Sequence, residues 1–61
     1  MTLDRAQELL TLQISLASGY NRNAARLILL EVKKDHGPQA VDQLIRQLDL
    51  ETHFGFKEGS I

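Results

Sequence analysis

The sequence predicts an all-α fold, a compact three-helix bundle followed by a short C-terminal helical turn. Three observations lead there. Apolar residues recur at spacings of three and four along most of the 61 residues, the repeat of one face of an α-helix. The pattern is broken at 18–21 and again at 36–38 by Gly, Asn and Pro, residues that end and restart helices. Between the breaks, Ala24-Ala25-Arg26-Leu27-Ile28-Leu29-Leu30-Glu31-Val32 is apolar over most of its circumference. At about 100° per residue, Ala25, Ile28, Leu29 and Val32 form one stripe, and Ala24, Leu27 and Leu30 form a second. A helix of that kind is expected to be covered on both flanks, as the centre of a bundle.

The first helix is expected from Thr2 or Asp4, either of which can cap it, to Ser18. Leu3, Ala6, Leu10, Ile14 and Ala17 share a face. Leu9, Leu12 and Leu16 lie on an adjacent one, making the apolar arc wider than a single packing surface needs. That second stripe is expected either to touch both other helices or to meet another copy of the chain, with Leu9, Leu12 and Leu16 as the dimer contacts. At Ser18-Gly19-Tyr20-Asn21, Gly19 can end the helix and Asn21 or Asn23 can cap the next. The second helix should run from about Asn23 to Asp35 or His36, with Lys33 and Lys34 against the negative end of its dipole. Gly37 suits its C-terminus and Pro38 the first turn of a third helix. That helix, about Pro38 to Asp49, puts Ala40, Val41, Leu44, Ile45 and Leu48 on one face, as a lid on the second.

Beyond it, Leu50 to Phe56 can make one more turn, capped by Asp49 and ended by Gly55, before a polar tail. Residues 1–56 are expected to form one domain and 57–61 a flexible tail. Phe54 and Phe56 have no long helix to bury them, so they either fold back to close the bundle or dock on a partner.

Length and charge limit the function. A domain this small buries only roughly 60% of the surface of its unfolded chain, and one such core supplies about 3–5 kcal/mol. The chain has no cysteine, so neither disulfides nor thiolate zinc sites can add to this, and self-association is the expected supplement. A net charge of −1 and a pI near 6.0 argue against a generally basic nucleic-acid binder. No run reaches the roughly 18 apolar residues of a membrane span, and Asp4, Arg5 and Glu8 interrupt any leader, so a cytoplasmic protein without membrane contact is expected.

Sites for chemistry are not in evidence. His36 and His53 stand far apart without metal-ligand spacings, the carboxylates are scattered, no serine stands in a nucleophile motif and the glycines occur singly. No catalytic residue, metal or cofactor is expected, and a chain of this size is not expected to hold a ligand pocket of several hundred Å³.

Two resemblances meet at Gly19-Tyr20. The Gly-aromatic turn, Ala25 with Ile28-Leu29, and Ala40-Val41-Asp42-Gln43-Leu44-Ile45 resemble the pattern of ubiquitin-associated (UBA-like) three-helix domains over roughly residues 10–48. Ser18 stands where that family usually has methionine. The resemblance implies a non-catalytic protein-binding module with Gly19, Tyr20 and Leu48 as partner contacts, to which Phe54 and Phe56 add from the residues themselves. Ser15, Gly19 and Ala25, with Ile14, Tyr20 and Ile28, are similar to a helix-turn-helix series, in which the second helix enters DNA and Asn21, Arg22, Asn23 and Arg26 face the groove. Against the second, Ala24, Leu27 and Leu30 widen the apolar side of a helix that would have to leave a face bare. The sequence therefore points first to a homodimeric protein-interaction or regulatory module, and second to a small DNA-binding regulator.

Overall fold

The computed structural model describes residues 1–16 and 21–61, and all of the secondary structure among them is helical. Four helices follow in order: α1 (Leu3–Leu16), α2 (Asn21–His36), α3 (Pro38–Gln47) and α4 (Leu50–Phe54). The expected C-terminal turn is thus a helix of its own, and the described residues form four helices rather than three.

Each helix end has a local cause. Thr2 caps α1: its hydroxyl oxygen accepts the Arg5 amide at 3.1 Å, while Asp4 sits in the first turn, where a negative charge suits the helix dipole. The second helix begins two residues earlier than expected, because Asn21 is not spent as its cap. The Asn21 side chain turns back and donates to the Gln13 carbonyl of α1 at 3.0 Å. Gly37, at φ +90°, closes α2 through its amide to the Lys33 carbonyl (2.9 Å), and Pro38 opens α3. Asp49 takes the left-handed conformation (φ 52°) between α3 and α4 but makes no side-chain capping bond. Gly55 (φ 79°) ends α4, with its amide 2.8 Å from the Glu51 carbonyl.

The core draws on every element: Ala6 and Leu10 from α1, Ala25, Leu29 and Val32 from α2, Val41, Leu44 and Ile45 from α3, Leu50 from α4, and Phe56 beyond it. α1 and α2 run antiparallel. The Asn21–Gln13 bond ties them at one end, and at the other the Met1 ammonium lies 2.7 Å from Asp35 and 3.7 Å from Glu31. His36 Nε2 is 2.8 Å from the Met1 carbonyl. A carbonyl can only accept, so that nitrogen carries the proton.

Residues 57–61, expected as a free tail, instead lie along the seam of α2 and α3. From α2, Lys33 donates to the Ile61 carbonyl (2.9 Å). On the α3 side, Asp42 accepts the Gly59 amide (2.8 Å) and Arg46 pairs with Glu58 at 3.5 Å. Ile61 packs against the core, so the folded unit extends past residue 56.

The expectation that α2 is covered along both of its apolar stripes is not met. Its Ala25, Leu29 and Val32 are fully buried, but Leu27 is 57% exposed and Leu30 36%. The reason is geometric. Arg22 and Lys33, the residues that meet the tail, lie on one flank of α2, and α1 occupies the other through Asn21, Glu31 and Asp35. The back of the helix, where Leu27 and Leu30 point, is left to solvent.

Candidate functional site

Two helices of the fold leave large apolar side chains in water on one side of the molecule. Among the described residues the exposed large apolar side chains are Leu3, Leu12 and Leu16 on α1 (37%, 51%, 58%) and Leu27 and Leu30 on α2. Scattered exposed leucines are ordinary. Leu3 apart, these are not scattered: Leu12 and Leu16 fall with half-buried Leu9 at spacings of three and four, which makes one stripe of α1, and Leu27 and Leu30 make a stripe of α2.

The stripes adjoin. On α1 the flank carrying Leu3, Asp4 and Gln7 faces α3, where with Ala40, Gln43, Leu44 and Gln47 it lines a groove of about 240 Å³. The Leu9–Leu12–Leu16 stripe lies on the opposite flank, the one turned toward α2. The antiparallel ties at Asn21–Gln13 and Met1–Asp35 set the axial register, placing Leu9 beside Leu27 and Leu12 beside Ala24. The outer side of the α1–α2 pair is therefore a leucine face, with Ala24 and Leu9, both half-buried, at its centre. From Leu9 to Leu16 α1 carries no charged residue at all.

Charge borders the face unequally. Glu8 precedes Leu12 by one turn and is held by Arg5 at 3.1 Å, with Asp4 a further turn back. Along α2, Arg26 and Lys34 stand one turn before and after Leu30, all of them exposed. The α1 side is net acidic and the α2 side net basic, with Arg5, four residues before Leu9, and Glu31, four after Leu27, carrying the minority sign on each.

The residues expected to bind partners fall into three groups. Gly19 and Tyr20, the turn shared by both resemblances, lie outside the described residues. Leu12 and Leu16 of the expected dimer contacts are on the leucine face, and Leu9 is beside them. Leu48 and Phe54 are half-buried against the core and Phe56 is only 2% exposed. Of the two roles weighed for Phe56, closing the core is the one its position allows; it offers no surface to a partner. Leu27 and Leu30 had been assigned to a covered flank and belong to the exposed face instead.

The residues expected to face DNA are similarly divided. Asn21 is 8% exposed and bonded to α1, so it does not face outward. Arg22 donates through Nε to the Phe54 carbonyl at 2.8 Å, and its guanidinium lies 4.7 Å from the centroid of the Phe56 ring, a stacking geometry that holds the C-terminal segment on α2. Asn23 and Arg26 are exposed.

Among the described residues no cluster of three or more His, Asp or Glu could hold a metal ion, and no helix is long and apolar enough to cross a membrane. One shallow depression, over Asp4, Gln7, Glu8 and Thr11, opens broadly to solvent, and its described lining is one polar face of α1.

The chain matches no protein-family model, no curated protein and no solved structure.

Proposed function

We propose that the protein is a small, non-catalytic helical module that acts by binding another protein, with the leucine face of α1 and α2 as its contact surface. One observation carries this reading. Leu12, Leu16 and Leu27 are each more than half exposed on adjoining stripes, while most of the other described apolar side chains, Phe56 included, lie in the core or against it. Exposed apolar area of this kind, rimmed by charge, is the usual mark of an interaction site. A UBA-like three-helix core, with α4 as an appendage, fits the same reading, although the surface argued for is α1–α2 rather than the Gly19-Tyr20 turn and α3. The helix-turn-helix alternative has less to stand on: of its four groove-facing residues, Asn21 is buried and Arg22 is engaged with Phe54 and Phe56. Arg26 with Lys34 is a small basic group in a chain of net charge −1, and phosphate contacts supply most non-specific DNA affinity.

The test is a comparison of captured proteins by the intact chain and by Leu12→Ser and Leu27→Ser variants. Both sites are exposed, so helicity by circular dichroism should be kept. A specific partner retained by the native chain and by Asn23→Ala but lost from the leucine variants supports the reading. Binding indifferent to both leucines sinks it, and binding that falls steeply with salt and is lost in Arg26→Ala would favour nucleic acid instead.

A further inference from the structure

Resting on the reading of the leucine face as a contact surface, we infer that its occupant is a second copy of this chain, in a two-fold pair with α1 of each copy lying on α2 of the other. The distribution of charge carries the inference. The face is net acidic along α1, where Asp4 and Glu8 outnumber Arg5, and net basic along α2, where Arg26 and Lys34 outnumber Glu31, around a centre of leucines and Ala24. A two-fold axis lying in the face and parallel to the helices brings the left edge of one copy onto the right edge of the other. Acidic then meets basic on both sides at once, and leucine meets leucine in the middle.

The register agrees with this. The Asn21–Gln13 tie at one end and the Met1–Asp35 tie at the other place Glu8 within about one residue of the height of Arg26 along the antiparallel pair. Rotation about an axis parallel to the helices preserves height, so Glu8 of one copy arrives at Arg26 of the other, and the contact occurs twice. Pairing of opposite charges at the border of an apolar centre selects the orientation and discriminates against others.

A stable interface takes about 800 Å² from each partner, a fifth of the 3963 Å² that the chain exposes. Lipid is a poorer occupant, because helices that lie on membranes carry basic residues around the apolar face, and here Glu8 and Asp4 hold one edge.

Sedimentation equilibrium of the full chain, from about 10 μM to about 1 mM, reads the association directly. The expected result is a species of twice 6.9 kDa that grows with concentration. Leu12→Ser or Leu27→Ser should raise its dissociation constant at least about 30-fold, the scale of a central interface residue. Glu8→Lys and Arg26→Glu should each weaken it about tenfold or more, and the double variant Glu8→Lys/Arg26→Glu should restore it, because the edges then meet with their signs exchanged. A single 6.9 kDa species at every concentration overturns the dimer while leaving the leucine face open to a different protein, which the capture experiment reads separately. A dimer insensitive to Leu27→Ser and to both charge reversals overturns it too, since the copies would then meet on another surface.

Discussion

Arg22 and Asn21, neighbours at the start of α2, show how far a side chain's work can depart from what its type suggests. Two arginines and two asparagines within residues 21–26 look like a groove-reading set, but Asn21 turns back to α1 and Arg22 lies across the C-terminal segment, each tying elements together. Asn21 is the one buried polar side chain among the described residues. Replacing it with alanine leaves the Gln13 carbonyl without that donor, and such a loss costs about 1–3 kcal/mol; a lower melting temperature with unchanged helix content is the expected record. For Arg22 the comparison is with lysine. Lysine keeps the charge but offers neither an Nε donor to the Phe54 carbonyl nor a planar group to stack on Phe56, so Arg22→Lys should lose most of the roughly 1 kcal/mol that Arg22→Ala loses. If lysine restores the native melting temperature, charge alone is at work and the stacking account fails. A third residue-scale prediction concerns the amino terminus. The hydrogen bond from the Met1 ammonium to Asp35 raises the amine above its ordinary 8.0 and lowers Asp35 below 3.8. The contribution is present in full between those values. It fades as pH rises through the raised amine value and as pH falls through the lowered carboxyl value. In Asp35→Asn the amine pKa should drop, as read by an NMR titration of the Met1 resonances; an unchanged value would mean that the pair does not form in solution.

Among the elements, the helix boundaries were the most legible part. Thr2, Gly37, Pro38 and Gly55 act where their conformational preferences place them, and the lid face of α3 buries Val41, Leu44 and Ile45 as its spacing requires. Gly55 gives the element-scale prediction. At φ 79° it holds a conformation costly for residues with a Cβ, and nothing lies within 4 Å of where that Cβ would be, so Gly55→Ala should cost about 1 kcal/mol from backbone strain alone. Chemical denaturation would show a lower midpoint with an unchanged slope. A neutral result would mean that the chain leaves α4 by another route. What the sequence concealed was which side of α2 the later segments would cover. Periodicity shows that Leu27 and Leu30 share a stripe, but it holds no information about where residues 55–61 return. That return is set by pairs 17 to 32 positions apart: Asp42 with the Gly59 amide, Lys33 with Ile61, Arg22 with Phe54. Each depends on a polar side chain meeting a backbone group, a contact that leaves no pattern in the sequence. The same blindness hid half of the candidate contact face, since Leu12 and Leu16 could be flagged as surplus apolar area while Leu27 and Leu30 seemed already accounted for.

At the scale of the whole molecule, the placement of Phe56 decides how much stability the fold can lose. Helices α1 to α3 bury alanines, valines, leucines and Ile45; among the described residues Phe56 is the largest fully buried side chain, and it comes from outside any helix. A domain of this length is stable by roughly 3–9 kcal/mol, at 0.05–0.15 kcal/mol per residue. Truncating a buried phenylalanine to alanine costs about 3–5 kcal/mol. The two ranges overlap, so Phe56→Ala should leave a substantial unfolded population at 25 °C, with loss of the helical circular dichroism signal. Phe54→Ala, at a half-buried ring 6.0 Å from Phe56, should cost distinctly less and keep the fold. If the two substitutions were equally mild, the C-terminal segment would be an accessory resting on a core that α1 to α3 complete by themselves. If Phe56→Ala unfolds the chain, a segment with no helical periodicity is part of the core, and the leucines left outside on α1 and α2 are not a deficit of folding. The core is then closed without them, and their exposure is free to serve contact with another molecule.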